Sequence, residues 1–201
     1  MKSLVCTLGL FLFFAAGSDE SRLPKEEAQR YAKVCVEQAD KSGGGPIKTI
    51  VDPEQACAVR GEGGGAMAVP DKMLTEQKLL KLQGEIVPVG QLWLRKWTLV
   101  VDGTPIAAKQ LRIVKVKVDE QVRPMPLLLL GIRKTADKKM ELLIYAKKGE
   151  PLLIVPLKSI EFVPETPLEL EWARGDKQID PLTLKILGRF QADLFITRAG
   201  K

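Results

Sequence analysis

The class of fold is indicated by the stretch Leu92-Trp93-Leu94-Arg95-Lys96-Trp97-Thr98-Leu99-Val100-Val101, the turn signal Asp102-Gly103-Thr104-Pro105 and the run Leu111-Arg112-Ile113-Val114-Lys115-Val116-Lys117-Val118. Both runs are rich in aromatic and β-branched residues, and Asp-Gly is typical of a two-residue hairpin turn. The pattern therefore predicts a β-hairpin. Its second strand alternates valine with lysine, so one face of that strand is expected to be buried and the other to lie in water.

The chain beyond residue 71 continues in short apolar runs, separated by Pro and Gly roughly every ten residues. Such spacing is typical of antiparallel sandwiches and barrels, so we predict a mainly β protein, with an antiparallel β-sandwich or barrel of about eight strands over residues 71–201. The run 127–130 consists of four leucines and is expected to be covered on both faces. Pro156 has no N–H to donate, so the segment 152–163 is expected at a sheet edge or in two pieces.

A helix is predicted ahead of this domain, over residues 23–41. Pro24 lies near its start, acidic residues fill its first turn, and glycines 43–45 follow its end. One side of the helix carries the apolar residues Ala28, Tyr31, Ala32, Cys35 and Ala39. This spacing predicts that the side bearing Cys35 packs against the rest of the protein.

A second, short helix is predicted to start at Asp52-Pro53 and to contain Cys57, because Asp is a favoured N-cap and Pro a favoured first residue. Residues 18–60 are thus expected to be a helical N-terminal segment. The glycines that follow predict a flexible linker over residues 61–70.

The first residues have the order of a secretory signal. Met1-Lys2 gives a basic start, residues 4–16 form a short apolar run, and Ala15-Ala16-Gly17 supplies small residues for cleavage. We predict a signal peptide over residues 1–17, cleaved near Gly17, and hence an exported protein, periplasmic or secreted. The alternative is an uncleaved N-terminal anchor.

Cys6 would leave with the signal, so the mature chain would keep Cys35 and Cys57. An even pair of cysteines in an exported chain predicts one disulfide, which would join the two N-terminal helices. The alternative is two free thiols.

The composition excludes several kinds of site. The chain has 31 Lys and Arg against 25 Asp and Glu, and it contains neither His nor Asn. Without His there is no Ser-His-Asp or Cys-His machinery and no HExxH zinc site. We therefore expect no cofactor, no metal and no enzymatic activity. The alternative is a small hydrolase that uses paired carboxylates, such as Glu169 with Glu171 or Asp119 with Glu120.

The residues proposed for binding lie on the predicted hairpin. They are the basic residues Arg95, Lys96, Lys109, Arg112, Lys115 and Lys117, with the rings of Trp93 and Trp97. A basic face would suit another protein, an anionic polymer or an envelope component, whereas an exported protein seldom meets nucleic acid. Alternatively, the lysines form an ordinary solvated sheet face and the two rings pack in the core.

Two further surface hypotheses remain open. The tryptophans, if exposed, would anchor the protein peripherally at a membrane surface. Arg174-Gly175-Asp176 resembles the cell-attachment tripeptide, although Gly-Asp is also ordinary turn chemistry. The sequence as a whole favours an exported, non-enzymatic binding or structural module that contacts another macromolecule through a sheet edge or its basic hairpin face.

Overall fold

The computed structural model describes residues 21–118, 120–147, 149–176 and 178–200. The predicted signal peptide and Asp119 lie outside these ranges. Two α-helices are present, α1 (Lys25–Lys41) and α2 (Glu76–Leu80), with short 3-10 helices at Pro53–Gln55 and Ala108–Gln110. None of the helices described here has the length and apolarity needed to cross a bilayer.

The strands, in chain order, are β1 (Cys57–Gly61), β2 (Gly64–Pro70), β3 (Val87–Arg95), β4 (Trp97–Val101), β5 (Thr104–Pro105), β6 (Arg112–Val118), β7 (Gln121–Lys134), β8 (Met140–Tyr145), β9 (Leu153–Pro156), β10 (Lys158–Ser159), β11 (Leu168–Trp172), β12 (Asp180–Ile186) and β13 (Phe190–Arg198). All pairings between these strands are antiparallel. The prediction of a mainly β, antiparallel protein is confirmed.

Two sheets form the architecture. The large sheet has the order β1-β2-β3-β7-β8-β9, with β6 also paired to β7, and the small sheet has the order β11-β12-β13-β4-β5, with β10 also paired to β13. The two sheets face each other across one core, to which the large sheet contributes Leu92 and Leu128 and the small sheet Leu99 and Leu184. The sequence predicted either a sandwich or a barrel, and two facing sheets correspond to a sandwich.

The opposite face of the large sheet, here called the outer face, is covered by α1. The helix places a stripe of small residues, Ala28, Ala32, Cys35 and Ala39, against the sheet, and Trp93, Leu127 and Leu129 lie beneath it. Small side chains let the helix approach closely. The central strand β7 is therefore buried on both sides, as predicted for the leucines at 127–130, which are at most 2% exposed.

The predicted hairpin is wrong in its pairing. The Asp102-Gly103 turn does form, but it joins β4 only to the two-residue strand β5, and β6 pairs with β7 in the large sheet. The chain leaves the large sheet at Lys96, whose φ is 57°. A left-handed residue breaks the alternation of a strand. Trp93 accordingly lies on the outer face, and Trp97 in the core between the sheets.

The predicted linker at residues 61–70 is also wrong. Gly64–Pro70 is strand β2, which pairs with β1 on one side and β3 on the other. The glycines serve packing: a Cβ on Gly61 would lie 2.6 Å from the rings of both Trp97 and Trp172.

The predicted second helix is reduced to the 3-10 turn Pro53–Gln55, and β1 begins two residues later.

The predicted disulfide is absent, because Cys35 and Cys57 are both free and buried. Cys35 projects from α1 toward the outer face, whereas Cys57 points into the core between the sheets. Its neighbour Ala58 faces α1 instead, since side chains alternate along a strand. The sheet itself separates the two thiols.

Candidate functional site

A cleft of about 270 Å³ opens between α1 and the outer face of the large sheet. It exists because two neighbouring strands separate. Strands β3 and β7 are paired from Val87↔Ile132 to Trp93↔Leu127. Beyond this last pair β3 continues only as far as Arg95. The remaining part of β7, residues 121–126, is paired with β6 and not with β3. The space between the diverging strands is roofed by α1.

The rim of the cleft carries three arginines. Gly65 of β2 is paired with Arg60 of β1 on one side and with Arg95 of β3 on the other, so the three residues form a row across the sheet. Residues directly opposite in paired strands project from the same face. Gly65 has no side chain, which leaves the space between the two arginines open. Arg123 of β7 lines the cleft as well.

The three guanidinium groups differ in their contacts. Arg60 Nη2 forms an ion pair with Glu27 Oε1 of α1 at 3.2 Å. Arg123 Nη2 donates to Gln121 Oε1 at 2.7 Å. Arg95 is exposed and has neither a hydrogen bond nor an ion pair with any described residue.

Among the residues that the structure describes, none of those lining the cleft is a carboxylate, whereas three are arginines. Glu27 neutralises only Arg60. Arginine forms two parallel hydrogen bonds with a carboxylate or phosphate, and its charge persists at any physiological pH. An anion would thus find two guanidinium groups at the rim, those of Arg95 and Arg123, that form no ion pair with a described residue, although Arg123 donates to Gln121.

The floor of the cleft is apolar. It is formed by Trp93, Met67 and Met125, with Tyr31 and Cys35 of α1 above them. Trp93 is fully buried, and its indole Nε1 donates to Gln91 Oε1 at 3.1 Å, which satisfies its polar atom and fixes the ring. Methionine side chains adapt their shape to what packs on them.

The thiol of Cys35 lies on the α1 side of the cleft, above this floor. It is 1% exposed, and burial raises its pKa to about 12. A thiol that stays protonated is a poor nucleophile and a poor metal ligand. Within the residues described, no group of Cys, Asp and Glu is arranged to hold a metal ion. The cleft therefore presents positive charge at its rim and apolar side chains below the rim, a combination suited to binding a ligand.

Two of the residues proposed from the sequence, Arg95 and Trp93, meet in this cleft. The others do not. Trp97 is 1% exposed in the core between the sheets, stacked on Trp172 with ring centroids 6.0 Å apart. Lys96 is exposed at the crossing between the sheets.

The remaining basic residues are scattered. Arg112 lies under the C-terminal end of α1, where it donates to Ala39 O and Ser42 Oγ. Lys109 lies in a 3-10 helix away from the cleft. Lys115 and Lys117 alternate with the buried Val114 and Val116, so they project from the opposite face of β6. The six basic residues do not form one surface.

The carboxylates considered for catalysis are held in separate ion pairs. Glu169 is 5% exposed and forms an ion pair with Arg22 at 3.2 Å, whereas Glu171 is exposed and bonded to Lys185. Glu120 is paired with Lys117. In the tripeptide at 174–176, Arg174 is paired with Glu62, and Gly175 N donates to Asp180 Oδ1.

Sequence reasoning missed Arg60, Arg123 and Tyr31. Arg60 falls between the predicted helix and the predicted linker, so no strand register connected it to Arg95. Cys57, Ala58 and Val59 are consecutive apolar residues that do not alternate with polar ones, so the local sequence carried no strand signal for Arg60. Comparison with known proteins gives no match: no family model, no curated protein and no solved structure matches this chain.

Proposed function

We propose that this protein is an exported, non-catalytic binding protein that contacts an anionic component of the cell envelope or of the surrounding medium through the arginine-rimmed cleft. The observation that carries the proposal is the guanidinium of Arg95, which is exposed beside Arg60 and Arg123, with no carboxylate among the described residues that line the cleft. Export rests on the pattern of residues 1–17.

Electrostatics supports a binding role at this place. Several arginines elsewhere in the described chain are matched by acids; Arg189 and Arg198, for example, are each paired with a glutamate. At the cleft rim only Arg60 is matched. A cluster of unmatched cations lowers the energy of an approaching anion and raises its association rate.

Catalysis is not part of the proposal. Glu169 and Glu171 line a common groove, but each carboxylate is held by its own cation, Arg22 or Lys185. A general acid needs a carboxyl group that burial or a like charge keeps protonated. The neighbouring charges here are opposite.

The test is binding to an anionic polymer, immobilised heparin, and to phosphatidylcholine vesicles that contain phosphatidylglycerol. We expect binding that weakens with salt, and Arg95→Glu should weaken it roughly tenfold or more. The matched control is Lys96→Glu, which makes the same change of charge at the next residue but outside the cleft lining. Equal losses in both variants, or no binding by the unaltered protein to either surface, would overturn the proposal.

A further inference from the structure

We infer that the ligand of this cleft is an amphiphile with one anionic head and a short apolar tail, the head at Arg95 and Arg123 and the tail against the partly exposed side chains of Tyr31, Val118 and Met125. The inference rests on the proposed function and names the class of ligand. It is drawn from the order of polarity within the cleft: cationic groups at the rim, apolar side chains below.

A simple anion would not need such a floor. Phosphate and carbohydrate hydroxyl groups are held by polar side chains, whereas below its rim this cleft is lined by the partly exposed Tyr31, Val118 and Met125 over the buried Trp93. The single polar atom of the indole is already bonded to Gln91. An alkyl chain bound there would leave water together with the exposed parts of Tyr31, Val118 and Met125, and each methylene so buried strengthens binding roughly fourfold.

The size of the cleft limits the tail. Its volume of about 270 Å³ lies just below the range of about 300–1,000 Å³ that is usual for small-molecule sites. Divided by the roughly 30 Å³ that one water occupies, this is room for roughly nine groups of that size. A chain of about eight carbons would therefore fill it, and longer tails should gain little.

The head is selected by geometry. Arg95 stands at the end of β3 and Arg123 on β7, so the two guanidinium groups flank the opening between the diverging strands. Each has parallel N–H donors that match two oxygens of a carboxylate or a phosphate. The shared chemistry is an oxyanion, and carboxylate and phosphate heads are separated by experiment.

The experiment titrates the full chain with octyl phosphate and octanoate by calorimetry. Octyl glucoside is the control that lacks a charge, and inorganic phosphate is the control that lacks a tail. We expect octyl phosphate, octanoate or both to bind at least tenfold more tightly than either control, and the stronger of the two identifies the head. Affinity should rise from hexyl to octyl chains and then level off.

Two variants assign the binding to the cleft. Arg95→Gln, at an exposed position that leaves the fold intact, should weaken binding of the anionic amphiphiles about tenfold and leave octyl glucoside unchanged, whereas Lys96→Gln should change neither. Met125→Trp narrows the floor and should abolish the gain from longer chains.

Two outcomes separate this inference from the proposed function. If the protein binds heparin or anionic vesicles but prefers neither octyl phosphate nor octanoate over inorganic phosphate, the tail contributes nothing and the inference fails while the function stands. If it binds none of these anions, both fail. Equal effects of Arg95→Gln and Lys96→Gln would also overturn the inference, since they would place the head elsewhere.

Discussion

The two free cysteines are buried on opposite faces of one sheet, and burial raises the pKa of each thiol to about 12 from an ordinary value of 9.0. In the folded protein both thiols stay neutral far into the alkaline range. In the unfolded chain they ionise near pH 9. The free energy of unfolding is therefore linked to pH through Cys35 and Cys57.

The sign follows from which state holds the proton. Because the folded pKa is the raised one, the thiols' contribution to stability is fully present below pH 9 and is lost as the pH rises from 9 to 12. Each thiol should lower the free energy of unfolding by about 1.4 kcal/mol per pH unit within that window.

Urea unfolding at a series of pH values measures this slope. The comparison is with the double variant Cys35→Ala/Cys57→Ala, which keeps every lysine and tyrosine and so has the same background titration. We expect a shallower fall of stability above pH 9 in the double variant. Identical slopes would show that the thiols are not buried as described, as would two thiols that react with iodoacetamide in the folded protein at pH 8.

Residue types alone identified part of the candidate site. Arg95 and Trp93 were singled out because a strand rich in rings and cations suits binding, and both line the cleft. Arg60 could not be found, because its place depends on the pairing of β1 with β2 and of β2 with β3. Pairing partners distant in sequence leave no local pattern.

At the scale of elements, the hairpin of β1 and β2 shows why glycine content misled. Its glycines predicted flexibility, yet Gly61 and Gly64 lie against the stacked rings of Trp97 and Trp172. Glu62 at the tip is held by Arg174 and Arg198 at 3.2 and 2.8 Å. The hairpin is thus fastened to the small sheet by ring contacts and by two ion pairs.

Gly64→Ala should destabilise the protein, because the new methyl group would overlap the pyrrole part of the Trp97 ring. Overpacking of this kind costs about 1–3 kcal/mol. Chemical denaturation provides the measurement. Gly44→Ala is the matched control, since a Cβ there meets nothing within 4 Å, and its effect should stay within about 0.5 kcal/mol. A loss no larger for Gly64 than for Gly44 would contradict the described packing.

Elements with strong local signals were predicted well. Helix α1 was expected over residues 23–41 and spans Lys25–Lys41, because its boundary signals and apolar stripe are local. Pro156 was expected to mark an edge or a break and does both, ending edge strand β9 before β10 begins. The β domain predicted over residues 71–201 also contains a short helix, α2, at Glu76–Leu80, which is capped by Thr75.

At the scale of the whole molecule, Arg22 connects the two sheets. Its backbone forms an isolated β-bridge with Val59 of β1, in the large sheet. Its guanidinium forms ion pairs with Glu165 at 3.3 Å and with Glu169 of β11 at 3.2 Å. Glu169 also accepts from Glu165 N at 2.7 Å, so its two oxygens are both bonded.

Arg22→Ala would leave the buried carboxylate of Glu169 without its cation. Removing one partner of a buried pair costs about 3–5 kcal/mol. Because the side chain of Arg22 is itself 34% exposed, we expect a smaller loss, about 2–3 kcal/mol, in urea unfolding. Adding Glu169→Gln to Arg22→Ala should restore part of that loss, since the amide carries no charge.

Arg174→Ala is the control for this prediction. It breaks an ion pair that also joins the large sheet to a segment next to the small one, but both of its partners are exposed. Such surface pairs contribute at most about 1 kcal/mol. If the two arginine variants were equally stable, the connection through Arg22 would have no energetic significance.

The crossing at Lys96 places β4 in a sheet whose longer members, β11, β12 and β13, come much later in the chain. On one side its neighbour is the short β5, and on the other it is β13, with Leu99 paired with Ile196 and Thr98 with Thr197. During synthesis β1, β2 and β3 can assemble as soon as they emerge, while β4 keeps an unpaired edge until β13 (Phe190–Arg198) has been made. The nascent protein therefore carries an unpaired strand edge while the intervening residues are synthesised, and we expect its yield in the cell to depend on chaperones that shield that strand.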